Sequence, residues 1–128
     1  MIDRPIKVLW LTNNLTPDHA IALGMPPSPR EGWIPSLAKA LVIDGRIKLA
    51  IATSLYAEKW RFVDVQGVRY YTIPQPTIRI NANYLSNNLV SCYQRVVDDF
   101  KPDIIHIHGT ESFHGLLSGR KYIKTPTV

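Results

Sequence analysis

A single cysteine, Cys92, in 128 residues excludes an internal disulfide and agrees with a reducing compartment. No apolar run is long enough to span a bilayer, and Met1-Ile2-Asp3-Arg4-Pro5 puts charge and proline where a secretory leader needs hydrocarbon. A cytoplasmic protein is therefore expected. Glycine-rich phosphate loops are missing as well. No G-x-G-x-x-G follows the first apolar run and no G-x-x-x-x-G-K-S/T occurs, which argues against a nicotinamide cofactor and a P-loop. Zinc-knuckle spacing, basic runs interleaved with aromatics, internal repeats and low-complexity segments are also absent. The fifteen Lys and Arg give a net charge of +5, but they are scattered from Arg4 to Lys124. Charge spread in this way disfavours nucleic acid and suits an anionic substrate or peripheral contact with the anionic inner face of a membrane.

What the chain does contain is Pro102-Asp103-Ile104-Ile105-His106-Ile107-His108-Gly109-Thr110-Glu111. Pro102 ends the preceding helix, the isoleucine-rich run is short and β-branched, and Gly109 stops the strand. Parallel strands covered by helices are usually apolar throughout. Two histidines at period two, on one face at a strand's carboxyl end, therefore ask for a reason.

The remaining chain alternates strands and helices. Ile6 to Thr12 reads as a central parallel strand ending in Asn13-Asn14, and residues 13 to 32, with four prolines and Gly24, read as a long loop. Ile34, Leu37, Ala38, Leu41 and Val42 predict a helix with one buried stripe, with Pro35 near its start and Gly45 past its end. Ile47 to Thr53 is a second strand. Trp60 to Val65 and Val68 to Ile73, joined by Gln66-Gly67, predict a hairpin whose second arm is the third parallel strand. Leu85, Leu89, Tyr93, Val96, Val97 and Phe100 mark a long amphipathic helix, and Ser112 to Lys121 a short one capped by Thr110 or Ser112. Lys124 to Val128 reads as a turn and the first residues of a further strand, so the chain is expected to be part of a longer protein.

This alternation implies an α/β domain over residues 1–128, a Rossmann-like parallel sheet with helices on both faces. In the commonest doubly wound order the fourth parallel strand lies beside the first. Their carboxyl ends then form the crevice where such sheets bind ligands, gathering the Asn13 loop, Gly32 and the His106-x-His108-Gly109 turn.

Each candidate has a bland reading beside the chemical one. Gly32 lets a ligand approach a helix N-terminus or merely turns the chain, and Arg30 is an anion contact or a solvated loop arginine. His106 is expected to be a hydrogen-bonded core residue. His108, at the rim, is expected to touch a bound sugar or donate to a developing negative charge. A zinc site on His106 and His108, with His114 nearby and further ligands from carboxylates or missing sequence, is the alternative. Glu111 is an acid or base, or a charge in a helix's first turn. His19 and His114 are read as surface residues. Trp10, Trp33 and Trp60 are read as core or rim, with Trp33 able to stack on a sugar face.

Taken together, Lys7-Val8-Leu9-Trp10-Leu11-Thr12, Gly32 followed by Ser36-Leu37-Ala38-Lys39-Ala40-Leu41, Gly67 to Pro74, and Pro102 to Gly109 resemble the N-terminal half of a family-4 retaining glycosyltransferase with two Rossmann-like domains, the GT-B type. The resemblance implies an acceptor-binding domain that is cut before its last strands and faces an absent nucleotide-sugar domain. It implies no cofactor and no catalytic metal. The implied partners are a nucleotide-diphosphate sugar donor and a saccharide or lipid-linked acceptor. By the resemblance, Gly32 approaches the donor phosphates and His108 contacts the transferred sugar or the acceptor. A single glycine preceded by Glu31, with Pro35 close behind, departs from the paired glycines of many members. A non-catalytic flavodoxin-like binding or regulatory module is the alternative function.

Overall fold

The elements are, in chain order, β1 (Ile6–Leu11), α1 (Pro17–Ala22), α2 (Trp33–Asp44), β2 (Ile47–Tyr56), β3 (Arg61–Val65), β4 (Val68–Gln75), α3 (Asn87–Phe100), β5 (Ile104–Ile107) and α4 (His114–Gly119). This computed structural model describes residues 4–27, 33–56, 58–75, 85–108 and 113–128. The strands form one sheet in the order β3-β4-β2-β1-β5. β1 lies at the reversal of strand order, parallel to β2 on one side and to β5 on the other, with Trp10 opposite His106. The expected neighbours are therefore neighbours, and their carboxyl ends share one edge of the sheet.

Side-chain alternation divides the core into two layers. Leu9, Leu11, Ala50, Ala52, Tyr71, Ile73 and Ile105 pack with α3 and α4, while Val8, Trp10, Leu49, Ile51, Val68 and Tyr70 pack with Ile34 and Ala38 of α2. Helices thus cover both faces. α3 supplies the broadest cover, burying Leu89, Val90, Tyr93, Val96 and Phe100 along one stripe. Its start is fixed by the Ser86 side chain, which accepts from the Leu89 N–H at 3.1 Å. It ends where Lys101 turns left-handed, with its N–H bonded to the Val97 carbonyl ahead of Pro102. The Arg4 guanidinium grips the Asp103 carboxylate with two bonds of 2.7 and 2.8 Å, and the Lys7 N–H donates to it at 2.8 Å. This clamp holds the start of β1 against the start of β5. The Arg4 side chain and the Lys7 N–H keep that carboxyl well below the usual carboxylate range.

Several expectations need correction. The sheet is mixed rather than parallel throughout, because the first arm of the expected hairpin, β3, pairs antiparallel with β4 as an edge strand, while β4 runs parallel to β2 as expected. Gln66 and Gly67 both take positive φ, 47° and 83°, the two-residue turn whose twist suits a tight hairpin. The stretch read as a continuous loop contains α1. Pro17 pre-sets its first turn and Asp18 favours its N-terminus, but six residues are too few to display a period. Leu37 of α2 is exposed, because it sits at the edge of the stripe centred on Ile34 and Ala38. α4 begins at His114 with Phe113, not Thr110 or Ser112, at the cap position. Both proposed caps lie outside the described residues.

Beyond α4, residues Pro126 to Val128 run alongside β5. The Ile105 and Ile107 N–H groups donate to the Pro126 and Val128 carbonyls, and Thr127 pairs in parallel with Ile105. Among the described residues no helix is long and apolar enough to cross a membrane.

Candidate functional site

His108 follows β5 directly, and its N–H donates to the Leu11 carbonyl at 3.0 Å, so the backbone fixes it beside the last residue of β1. Period-two alternation sends its ring to the α2 face, the same face as His106 and Trp10. The two imidazoles lie 4.0 Å apart between centroids. Trp10 approaches His108 at 4.4 Å and His106 at 6.2 Å, both edge to face. Trp33, the first residue of α2, closes the other side with its ring 4.9 Å from that of His108. The start of α2 thus meets the end of β5 through an aromatic contact.

His108 is only 7% exposed, and neither ring nitrogen has a hydrogen-bond partner among the described residues. Leaving a buried polar group unpaired costs about 1–3 kcal/mol. Thr16 Oγ1 and His19 Nδ1 are also buried without a partner, but among the described residues His108 is the histidine with both ring nitrogens so placed, and each such group asks for an explanation. Burial, and secondarily the neighbouring His106 ring, pushes the His108 pKa down to about 4. Near neutral pH the ring is uncharged, so it can donate from one nitrogen and accept at the other. It suits a ligand hydroxyl or a developing oxyanion better than a fixed negative charge.

His106 is half-buried, held between Trp10 and His108. Asn13 is exposed two residues beyond Leu11, on the same exit from the sheet as His108. Gly32, Arg30, Gly109 and Glu111 lie outside the described residues.

Two histidines expected at the surface are buried instead. His19 of α1 is fully buried, its Nε2 is 2.8 Å from Thr72 Oγ1, and its ring lies 5.1 Å from that of Tyr70. Burial, with a smaller effect from the Arg61 charge, lowers its pKa to about 4. His114 is buried on the opposite side of the sheet from His108, among the residues packed on α3. Its Nε2 lies 3.3 Å from the Tyr93 hydroxyl, which in turn sits 2.7 Å from Ser54 Oγ. The apolar neighbours in Phe113-His114-Gly115-Leu116-Leu117 and His19-Ala20-Ile21-Ala22 were the available signal that these rings turn inward. The same geometry removes His114 from the zinc alternative. His114 lies across the sheet from the His106–His108 pair, and among the described residues no three His, Cys, Asp or Glu gather into a metal site.

A cleft of about 320 Å³ lies on the α2 face, bordered by Asp18, Pro35, Lys39, Val42, Val68 and Tyr70. It does not include His108. Its walls are mostly apolar, and it has no unpaired buried imidazole to orient a ligand, so the His108 crevice is the better candidate for chemistry.

In comparisons with protein-family models, curated proteins and solved structures, nothing matches this chain.

Proposed function

We propose that this chain is the acceptor-side N-terminal domain of a GT-B type retaining glycosyltransferase. The intact enzyme moves a sugar from a nucleotide-diphosphate donor to a saccharide or lipid-linked acceptor. The observation that carries this reading is His108: an uncharged, buried imidazole with two unpaired nitrogens, at the crevice where β1 and β5 leave the sheet. In this role the ring hydrogen-bonds a hydroxyl of the transferred sugar or the acceptor and stabilises charge that develops as the glycosidic bond rearranges. Asn13 borders the same crevice, and the proposal adds Gly32, Arg30, Gly109 and Glu111 as substrate-binding residues. The proposal gives Gly32 and Arg30 a role in binding the donor phosphates and Gly109 and Glu111 one in binding substrate. The net positive charge supports attraction of an anionic donor or a lipid-linked acceptor at an anionic membrane face.

The test is transfer of labelled sugar from a panel of nucleotide-diphosphate sugars by the intact enzyme, beside residues 1–128 alone. The intact enzyme is expected to transfer label from at least one donor, and residues 1–128 to transfer none. Donor binding without turnover by the intact protein would favour a regulatory module, and transfer by the isolated domain would contradict the division of labour.

A further inference from the structure

The walls around His108 are not equally fixed. Trp10 belongs to β1 at the centre of the sheet and is 1% exposed, and His106 is held opposite it in the β1–β5 ladder. Trp33 differs. It opens α2, its indole is 61% exposed, and its ring partner among the described residues is His108 alone. One indole face lies against the imidazole at a tilt of 44°, which leaves the other toward solvent. Among the described residues, Trp33 is the ring neighbour of His108 that is not built into a strand, so it is the wall that a ligand at the His108 nitrogens can displace.

We propose that Trp33 is a specificity-determining cover over His108, stacking its indole on the apolar C–H face of a pyranose ring while the sugar's hydroxyls take up the His108 nitrogens. A pyranose has one face of C–H bonds and a rim of hydroxyls, and the exposed indole and orphaned imidazole supply a complementary pair. The inference rests on the sugar-transfer reading above and adds the substrate element that this wall of the site recognises.

The indole N–H resonances of Trp10, Trp33 and Trp60, assigned with Trp33→Phe and Trp60→Phe, report on contact directly. Methyl α-D-glucopyranoside, methyl α-D-galactopyranoside and methyl α-D-mannopyranoside are the probes. At least one is expected to shift the Trp33 and His108 resonances together while the Trp60 signal stays in place. Trp33→Ala is expected to weaken that binding about tenfold or more, and Trp33→Phe to retain most of it. The exposed side chain can be removed without opening the core, and circular dichroism of each variant checks this. In the intact enzyme Trp33→Ala is expected to raise KM for the sugar substrate more than it lowers kcat.

Probes that leave Trp33 unmoved, or equal affinity in Trp33→Ala, overturn the inference. Two failures are separable. If His108→Ala abolishes transfer while Trp33→Ala leaves KM unchanged, the cover role falls and the glycosyltransferase reading stands. If pyranosides bind through Trp33 but the intact protein transfers no sugar, the enzyme reading falls and the stacking site stands.

Discussion

Acidification should destabilise this fold well before its carboxylates titrate, and His19 shows why. The ring is fully buried between α1 and β4, and its pKa falls from 6.5 to about 4. In the unfolded chain the same ring binds a proton near its ordinary value. Between those two values the unfolded state holds more protons, so stability falls as pH falls through the window, and the loss is fully developed below pH 4. Moving from about pH 7.5 to about pH 5 removes about 2 kcal/mol through His19, from the ratio of the two states' protonation factors. His108, lowered to the same value, acts in the same direction and brings the total to about 4 kcal/mol. That is a large share of the roughly 5–15 kcal/mol that holds a typical domain together. Asp103 does not contribute in this window, because a carboxyl lowered by its partners loses its stabilising effect only below the ordinary carboxylate range. His19→Gln keeps a side-chain amide near the Nε2 position facing Thr72 and removes the titration. Urea unfolding at the two pH values should show about half the wild-type loss in the variant. An equal loss in both proteins would refute the assignment of this acid sensitivity to His19.

Two other substitutions probe the scaffold. Tyr93→Phe removes the hydroxyl that links Ser54 to His114 and should cost about 1–3 kcal/mol, read as a lower melting temperature; an unchanged melt would show that the link contributes nothing net. Gly67→Ala forces a side chain onto φ 83° and sets its Cβ 3.0 Å from Val42 Cγ1, so a cost of about 1–2 kcal/mol is expected. The same change in a Val42→Ala background should cost less, and an equal penalty there would leave backbone strain as the whole cause.

The parts of this fold that were legible in sequence are those with a long or unambiguous signal. β1 and β5 are short apolar runs bounded by turn residues, and α3 repeats its apolar stripe over fourteen residues. Their adjacency followed from the commonest strand order of doubly wound sheets, which needs no side-chain detail. α1 was invisible because its proline-rich surroundings resemble a loop and one and a half turns carry no period. The inward rings of His19 and His114 escaped for a different reason. A buried histidine whose ring bonds Thr72 or Tyr93 is tolerated inside, but composition alone treats it as polar. At the site, His108 was legible as a polar residue at a strand end. The orphaned state of both its nitrogens and the contact with Trp33 depend on residues seventy-five positions apart and emerge only in three dimensions.

Most directly decisive is the rate of sugar transfer by the intact enzyme carrying His108→Ala, measured beside its circular dichroism spectrum. With the spectrum unchanged, transfer is expected to fall about 100- to 1000-fold, the usual consequence of removing one preorganised hydrogen-bond donor from a transition state. A folded variant that turns over at the wild-type rate would contradict the role assigned to the β1–β5 crevice.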